Sequence, residues 1–428
     1  MKVLVVGLGK IGLPLAAQIA GKGHIVLGAD LQQSVVDSVN AGRSHIAEEP
    51  GLDEAVRKAV SGGALRATTD TTEAARAADV AIVIVPVVVD AAKRPDYRWL
   101  DAALVAVGKG LRKGALVVVE TTLPVGTTRE HVAPILERES HLHAGKDFYV
   151  AFSPERLYSG RVFADLAKYP KIVGGIDGES TRRAVEFYRS ALDAEIRPVA
   201  NAETAEFSKL AETTYRDVNI ALANQLAVYA GSRGADASEA FAAANSQPFS
   251  HIHRPGIGVG GHCIPVYPHF LLSDSTDGEL DLVRTARAIN DGMAEKCVAW
   301  LAEALGDLDR KRVLVLGLSY REDVKELAFS TALSVIDLLR RQGAVVLAND
   351  PHFTHAELAP LEVEVVDLDG NIAIDAVVVQ ALHREYRDLD WSRFKGLRVV
   401  LDGRGTLDAA ALLEQGVRVI TVAQPPAS

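Results

Sequence analysis

The chain is poor in cysteine and in positive charge, and both shortages exclude classes of protein. Only two cysteines occur among 428 residues, too few for a disulfide framework, so we expect a reducing compartment, the cytoplasm. The formal net charge of −10 argues against nucleic acid as a partner. No run of about 18 uncharged apolar residues occurs, and glycines and Lys10 interrupt the apolar start, so we expect neither an export signal nor a membrane span.

What the sequence has in quantity is an alternation of Val/Ile-rich runs with amphipathic stretches. The alternation fills the first 200 residues and resumes after Lys311, which predicts two parallel sheets covered by helices. Between them, an apolar periodicity from about Asn201 to Gly231 predicts one long helix, and a second helix follows to about Asn245. The length favours two or three domains. We predict an α/β protein with two Rossmann-like parallel-sheet domains joined by a central long-helix domain, over 1–200, 201–305 and 311–428.

A glycine-rich turn follows the first predicted strand. Gly7, Gly9 and Gly12 come directly after KVLVV and open a helical pattern, so the backbone can turn tightly and approach a pyrophosphate at a helix N-terminus. Asp30 ends the second predicted strand, where a carboxylate can bind an adenosine ribose. This carboxylate would repel a 2′-phosphate, and no arginine follows it closely, so the pattern favours NAD over NADP. The alternative is a structural turn without a ligand.

The two thiols differ in context. Cys263 ends a stretch that contains four glycines between 256 and 261, and such a loop can bring a ligand close to backbone amides that would stabilise an oxyanion. Cys297 lies in a helical pattern, which predicts a buried structural thiol. A buried thiol is also the alternative interpretation for Cys263, but its loop favours a functional role.

Several motifs in order carry a family resemblance: GLGKIGLPLA, ETTLPVGTT, FSPERLYSGR, GVGGHCIPVYP, GLSYREDVKE and LDGRG. Over nearly its whole length the chain resembles the nucleotide-sugar 6-dehydrogenase family. That resemblance implies oxidation of a C6 alcohol to a carboxylate by two successive NAD molecules, through an aldehyde, a thiohemiacetal and a thioester. TYRDVNIALAN and FSPER look like the N-acetylhexosamine branch, which implies UDP-N-acetylmannosamine or UDP-N-acetylglucosamine as the substrate.

The resemblance also implies roles for individual residues. The nucleophile matches Cys263, the lysine that steadies the developing alkoxide matches Lys209, the threonine that positions water matches Thr122, and the glutamate of thioester hydrolysis matches Glu155. Without that context, a lysine and a glutamate would more often form surface ion pairs. These residue types suit the chemistry, because a thiolate needs nearby positive charge and thioester hydrolysis needs a carboxylate that can activate water.

Binding residues follow from the same matches, and arginine suits a substrate with phosphates. The expected cofactor contacts are Gly7, Gly9, Lys10, Ile11, Gly12, Asp30, Pro86 and Thr122. The expected substrate contacts are Arg156, Leu157, Lys209, Asn219, Arg254, Gly260, Tyr320, Arg321 and Arg404. We expect no metal site.

Four departures from the family pattern weaken this transfer. Tyr267 replaces an aspartate, Thr213 replaces an asparagine, and the dipeptide at 87–88 is Val-Val instead of Thr-Pro. Ala328 replaces an arginine that reaches the cofactor phosphates in the family, and this loss should weaken NAD binding unless Lys325 reaches the same phosphate. A changed charge near the lysine would alter proton handling.

Three alternatives remain open from the sequence. UDP-glucose 6-dehydrogenase would use the same chemistry in a smaller pocket. A single-step β-hydroxyacid dehydrogenase would need neither Cys263 nor the second α/β domain, and a nucleotide-sugar sensor would keep the fold without the chemistry. We also expect a homodimer through the central helix, because ALANQLAVYA is rich in apolar residues, although that face could equally be packed inside one subunit.

Overall fold

The computed structural model describes residues 1–46, 49–158 and 160–425. The chain divides into two compact units. The first comprises Met1–Glu212 with His269–Asp274, and the second comprises Thr213–Pro268 with Ser275–Ser428.

The first unit is built on an eight-stranded sheet. Its strands are short, apolar and mostly buried on both faces, which is why they are nearly continuous runs of Val, Ile, Leu and Ala. They are β1 (Lys2–Val6), β2 (Ile25–Ala29), β3 (Leu65–Thr68), β4 (Val80–Val83), β7 (Leu116–Val119), β8 (Tyr149–Phe152), β9 (Lys171–Gly175) and β10 (Ile196–Pro198), with β5 (Val88–Val89) and β6 (Pro95–Asp96) pairing as a separate antiparallel ribbon.

The strand order of this sheet is β10-β9-β8-β7-β4-β1-β2-β3. All neighbours are parallel except β8 and β9, which pair antiparallel through Ala151 with Gly175 and Phe152 with Gly174. From β1 the chain adds β2 and β3 on one side and then β4 and β7 on the other, so a topological switch point lies at the carboxyl ends of β1 and β4. The helices are α1 (Gly12–Gly21), α2 (Gln33–Asn40), α3 (Leu52–Ser61), α4 (Thr71–Ala77), α5 (Arg98–Gly110), α6 (Ala133–Ser140), α7 (Val162–Lys168) and α8 (Gly178–Ala191), with a π-helical turn at Thr128–Val132.

A 30-residue helix follows this sheet. It is α9 (Ala202–Gly231), whose first eleven residues belong to the first unit and whose remainder belongs to the second. The helices after it are α10 (Ala237–Ala244), α11 (Tyr267–Leu272), α12 (Asp281–Asp291) and α13 (Met293–Leu305). The predicted long helix and its shorter successor are therefore both present.

The second unit contains a six-stranded, fully parallel sheet. Its order is β13-β12-β11-β15-β17-β18, and a two-stranded pairing of β14 with β16 lies apart from it. The strands are β11 (Arg312–Leu316), β12 (Val345–Asn349), β13 (Glu364–Val365), β14 (Ile372–Ala373), β15 (Ala376–Val379), β16 (Phe394–Lys395), β17 (Val399–Asp402) and β18 (Arg418–Thr421); the helices are α14 (Thr331–Arg341), α15 (His355–Leu358) and α16 (Ala409–Glu414), with 3-10 turns at Ala359–Leu361, Arg384–Tyr386 and Trp391–Arg393. One sheet face packs against α13 and α14 and the other around Tyr386 and Phe394.

The fold class is as predicted: two Rossmann-like sheets with a long-helix region between them in the chain. The boundaries of the three predicted domains stay a prediction. Within the described part of the chain, no helix combines the length and the apolar character that a membrane crossing requires.

Candidate active site

The carboxyl edge of the first sheet carries many of the predicted site residues. Strands β1, β2, β4, β7 and β8 run parallel, so the segments that follow them leave the sheet at one edge. Ligands of open α/β sheets bind at this edge. The residues placed there are Gly7, Asp30, Pro86, Thr122 and Glu155.

The three glycines of the turn are needed for different reasons. A Cβ on Gly7, whose φ is +94°, would lie 2.2 Å from the Ile84 carbonyl oxygen, and one on Gly12 would lie 1.8 Å from the Gly7 oxygen. A Cβ on Gly9 would meet no atom of the described residues within 4 Å. Gly7 and Gly12 are therefore required by the protein's own backbone, whereas Gly9 leaves open space for a ligand.

Lys10 and Ile11 complete this turn and lead into α1 at Gly12. The helix N-terminus supplies the partial positive charge that favours a pyrophosphate. Asp30 lies next to the turn, because its Oδ2 accepts a hydrogen bond from the Leu8 amide at 2.9 Å. Its Oδ1 accepts one from the Gln32 amide at 2.9 Å, and the side chain remains partly exposed, so free lone pairs can accept ribose hydroxyls. The residues present fit NAD.

A buried glutamate ties the Thr122 loop to the helix that carries Lys209. Glu206 is fully buried and accepts hydrogen bonds from the Gly126 amide at 2.6 Å, the Thr128 amide at 2.8 Å and the Thr128 hydroxyl at 2.6 Å. Burial raises its pKa to about 7. Lys209 follows one turn later and is only 5% exposed, and Thr122 is 4% exposed. Glu206 was not predicted from the sequence, although its spacing of three residues from Lys209 places both side chains on one face of the helix.

Glu155 lies in a charged cluster that the sequence analysis also missed. Its Oε2 is 2.8 Å from the Lys171 ammonium, which also contacts Glu120 Oε2 at 2.8 Å. The neighbouring Arg156 donates its guanidinium to the Pro170 carbonyl and lies 3.8 Å from Glu212. Leu157 packs against the hydrophobic core of the first unit. Of these predicted residues, Glu155 has the setting of a reactive group, whereas Leu157 contributes to packing.

Cys263 and Cys297 differ in exposure as predicted. Cys263 is half-buried in the turn that begins α11, where its carbonyl accepts the amides of Val266 at 3.2 Å and Tyr267 at 2.9 Å. Cys297 is fully buried in α13, and burial raises the pKa of its thiol to about 12. Only a thiolate is a strong nucleophile, so Cys297 is suited to packing and Cys263 is the thiol that can react.

Two asparagines of α9 hold the loop that leads to Cys263. Asn219 donates to the His251 carbonyl at 2.8 Å and accepts from the His253 amide at 2.9 Å. One turn later, the buried Asn224 accepts from the Gly256 amide at 2.9 Å. Asn219 therefore has a positioning role in the structure, in addition to the substrate contact expected of it. Arg254, between these anchors, is exposed.

Four of the expected substrate residues gather at the glycine loop of the second unit. The Tyr320 side chain lies where a Cβ on Gly260 or Gly261 would stand, with its own Cβ 2.8 Å from the first position and its ring 2.9 Å from the second. Arg321 Nε contacts the Tyr320 hydroxyl at 3.1 Å. Arg404 donates to the Tyr320 carbonyl at 3.0 Å and to the Gln380 carbonyl at 2.8 Å, and burial lowers its pKa. Lys209, Thr122 and Glu155, in contrast, belong to the first unit.

The residues that depart from the family pattern have defined places. Tyr267 is the first residue of α11, and Thr213 is fully buried in α9. Lys325, the proposed stand-in for the arginine missing at Ala328, forms an ion pair with Glu357 at 2.6 Å, with both side chains about 40% exposed. Because such surface pairs contribute little stability, this pair would not prevent Lys325 from reaching a phosphate.

One group of side chains has the spacing of a cation site. Donor atoms of Asp323, His352 and His383 lie within 4.8 Å of one another. Both ring nitrogens of His383 already hold hydrogen bonds, to the Asp323 amide at 2.9 Å and to Asp350 at 3.1 Å. A cation would have to displace one of them.

An open glycine turn and a strand-end carboxylate at the carboxyl edge of a parallel sheet are the features of a dinucleotide-binding domain of the Rossmann class. The chain belongs to the UDP-glucose/GDP-mannose dehydrogenase family. Residues 1–192 match its NAD binding domain, 203–292 its central domain and 314–409 its UDP binding domain. The protein is thus an NAD-dependent nucleotide-sugar dehydrogenase.

Individual relatives cover nearly the whole chain. A UDP-N-acetyl-D-mannosamine dehydrogenase from Pyrococcus horikoshii is 37% identical over 416 residues, 95% of this chain and 96% of its own length. An NDP-N-acetyl-D-galactosaminuronic acid dehydrogenase from Ralstonia nicotianae is 35% identical over 415 residues, with 95% and 96% covered. The solved UDP-D-ManNAc dehydrogenase of Pyrococcus horikoshii superposes with a TM-score of 0.88 at 33% identity, covering 99% of each chain. A UDP-glucose dehydrogenase from Pyrobaculum islandicum has the same TM-score at 30% identity, covering 99% of this chain and 97% of its own.

Proposed function

We propose that the protein oxidises the C6 hydroxyl of a UDP-N-acetylhexosamine, with UDP-N-acetylmannosamine favoured, to the uronic acid, and that Cys263 holds the intermediates. The observation that carries the proposal is the half-buried Cys263 thiol on a glycine-rich loop, whereas burial makes the other thiol of the chain, Cys297, unreactive. The full-length relatives named for N-acetylated sugars support the choice of substrate.

Each catalytic residue has one task in this proposal. When bound, NAD accepts a hydride from C6 in each of two oxidations. Lys209 donates a hydrogen bond to the C6 oxygen as it gains negative charge. Between the two oxidations, the Cys263 sulfur adds to the aldehyde carbon and gives a thiohemiacetal, which the second oxidation converts to a thioester.

Hydrolysis completes the cycle. Thr122 orients a water molecule, and Glu155 removes its proton as the water oxygen adds to the thioester carbon. The carbon–sulfur bond then breaks, the thiol is restored and the carboxylate leaves. In balance, one alcohol, one water and two NAD give one carboxylate, two NADH and three protons.

The experiment measures NADH formed per sugar consumed across UDP-N-acetylmannosamine, UDP-N-acetylglucosamine, UDP-glucose and GDP-mannose. We expect two NADH per UDP-N-acetylmannosamine, and no acid from Cys263→Ser. The matched control is Cys297→Ser, which removes the buried thiol and should keep the stoichiometry. One NADH per sugar would contradict the four-electron reaction, and acid formation by Cys263→Ser would exclude this nucleophile.

UDP-glucose stays the second candidate substrate because of the equally similar UDP-glucose dehydrogenase fold. A kcat/KM for UDP-glucose above that for both N-acetylated sugars would select it. A protein that binds the nucleotide sugars but forms no NADH would be a sensor instead.

We also propose a homodimer through α9. Between Tyr215 and Tyr229, four large apolar side chains of this helix are exposed: Tyr215 at 53%, Leu222 at 48%, Leu226 at 38% and Tyr229 at 62%. At 3.6 residues per turn they fall within an arc of about 60°. Such a stripe is typical of an interaction surface.

The dimer is tested by sedimentation of Leu222→Glu. A charge on the stripe should shift the protein towards a monomer, whereas Leu413→Glu on α16, where the leucine is 66% exposed, should leave its mass unchanged. A wild type that sediments as a monomer would refute the proposal.

Finally, we propose the cytoplasm as the location, because the Cys263 thiol must stay reduced to act. Cell fractionation tests this.

A further inference from the structure

Four polar side chains meet inside the first unit without forming part of the glycine turn. Glu120 follows β7, Glu155 follows β8, Lys171 begins β9 and Tyr188 lies in α8. Glu120 and Tyr188 are fully buried, Lys171 is 5% exposed and the Glu155 side chain is 13% exposed. Lys171 lies 2.8 Å from one oxygen of each carboxyl, and the Tyr188 hydroxyl donates to the other oxygen of Glu120.

The charges of this cluster balance only if it keeps one carboxyl proton. Lys171 carries one positive charge, so two carboxylates would leave a net negative charge in the interior, which burial penalises heavily. Both carboxyl groups lie 2.8 Å from the same ammonium nitrogen, so two ionised carboxylates would also repel each other across it.

The fully buried Glu120 is the better place for this proton, because the Glu155 side chain is 13% exposed and can stay ionised. Burial raises the pKa of Glu120 to about 8. Burial would also raise the pKa of Glu155, but the Lys171 charge, the hydrogen bonds from Glu120 and Lys171, and the Arg156 amide together lower it. Lys171 keeps its charge because the attraction of both carboxyls outweighs its own burial and raises its pKa.

Glu155 is thereby fixed in orientation. Its Oε2 receives the Lys171 ammonium, and its Oε1 accepts the Arg156 amide at 2.8 Å. A proton on Glu120 would add a third donor, and only the small exposed part of the Glu155 carboxylate can meet water. A general base has to present a fixed lone pair to the proton that it removes.

We propose that Glu120 and Lys171 are positioning residues for Glu155 in thioester hydrolysis, with Glu120 as a neutral donor and Lys171 as a bridge between the two carboxyls. The inference rests on the proposed function. As Glu120 loses its proton, the donor to Glu155 disappears and a second negative charge competes for Lys171. Hydrolysis should then slow as the pH rises through about 8.

The experiment compares Glu120→Gln with Glu120→Leu. Glutamine keeps a donor without a titrating proton, so hydrolysis should stay close to the wild-type rate at pH 7 and lose its alkaline decline. Leucine removes the donor, so hydrolysis should slow at least about tenfold, the factor expected for one hydrogen bond to a charged group. The thioester on Cys263 should then accumulate, as measured by the mass of the quenched protein.

Two further variants separate the partners. Lys171→Met should move the acid limb of the hydrolysis profile to higher pH, because Glu155 loses the cation that keeps it ionised. Tyr188→Phe should have a smaller effect, since it removes only the hydroxyl on the far side of Glu120. Thermal unfolding of each variant checks that the fold is retained.

Failure of this proposal is distinguishable from failure of the proposed function. If the wild type forms two NADH per sugar and Glu120→Gln keeps the alkaline decline, the positioning role is refuted and the function stands. If no sugar yields NADH, both fall. Infrared spectra need no turnover: a protonated carboxyl band at pH 7 that Glu120→Gln removes supports the assignment, and its absence from the wild type overturns it.

Discussion

The two sheets share a strand order, but the turns that follow their first strands have different surroundings. Disregarding β8 to β10, the first sheet runs β3-β2-β1-β4-β7, which matches β13-β12-β11-β15-β17 of the second. Each first strand is followed by Gly-Leu, and each second strand is followed by an aspartate, Asp30 or Asp350. Each carboxylate accepts a hydrogen bond from the amide of the leucine in its own turn, Leu8 at 2.9 Å and Leu318 at 2.7 Å.

The surroundings of the two aspartates differ. Asp30 is partly exposed and also accepts a hydrogen bond from the Gln32 amide. Asp350 is 4% exposed and also receives the amides of Ser319 and His352 and the buried His383 ring. The first carboxylate can therefore accept a ligand, whereas the second is used by the protein itself.

The helix that follows each first strand shows the same contrast. At α1, the position of a Cβ on Gly9 is open among the described residues. At α14, the Thr331 side chain lies 2.6 Å from where a Cβ on Gly258 would stand, so the loop that leads to Cys263 covers this helix N-terminus. A shared strand order thus does not give a shared ligand; burial and local partners decide which turn stays open.

Asp350→Ala should produce the largest difference between the two turns. It leaves several buried donors unsatisfied, so we expect a loss of about 3 kcal/mol or more in the free energy of unfolding. Asp30→Ala should cost less than about 1 kcal/mol, because water replaces the carboxylate. Urea unfolding measures both, and equal losses would contradict the distinction.

The same carboxylate should shape acid stability. Burial would raise the pKa of Asp350, but the His383 hydrogen bond and charge and the loop amides lower it below the unfolded value. Its contribution is therefore complete above the unfolded pKa of about 4 and is lost as the pH falls through the lower native pKa. Asp350→Asn should flatten the stability profile in that acid window, and an unchanged profile would show that other carboxyls determine it.

Alanine at the first glycine of each turn should reduce the free energy of unfolding somewhat less than Asp350→Ala does. Gly317 has a φ of +73° and a Cβ there would lie 2.1 Å from the Ala381 oxygen, much like Gly7. We expect each substitution to reduce the free energy of unfolding by about 1–3 kcal/mol. Only Gly7→Ala should also weaken NAD binding in calorimetry, and an equal effect of Gly317→Ala would break the comparison.

Asp30→Asn should affect the cofactor rather than the fold. Losing charge-assisted hydrogen bonds of about 1.5–3 kcal/mol corresponds to a tenfold to hundredfold weaker NAD affinity. The preference for NAD over NADP should shrink, because the repulsion of a 2′-phosphate is removed. Fluorescence titration with both cofactors measures this, and an unchanged preference would exclude Asp30 as its source.

Gly9→Ala should have the smallest effect on stability. Its methyl group would enter open space, so unfolding should change by no more than about 0.5 kcal/mol. NAD affinity should nevertheless fall, because the methyl group occupies the room left for the pyrophosphate. Unchanged affinity would show that the cofactor does not approach this backbone.

The sequence predicted what local patterns encode. The long apolar runs became β1, β4, β11 and β15, whereas β3, with the exposed Arg66, and the two-residue strands β13 and β14 had no periodicity to reveal them. The glycine turn and Asp30 were likewise predictable, because the motif contains every part of the site.

Contacts between distant residues could not be predicted. Glu120 and Lys171 are 51 residues apart, and each is the single charge at the end of an apolar strand, a position that more often meets water. The one feature that could have indicated their contact is that each charge lies beside a continuous run of apolar residues. Similarly, nothing near Asp350 in the sequence indicates His383, 33 residues away.

Asn219 and Asn224 hold the segment before Cys263 through hydrogen bonds of their side-chain amides. Because both anchors stand on one helix, lengthening that segment by a residue between 256 and 263 would leave the anchors in place and misplace the sulfur. The rate at which a thiol reagent labels Cys263 would therefore report on the anchors of α9. A substitution of Asn219 or Asn224 should raise this rate, because it loosens the loop without changing the cysteine.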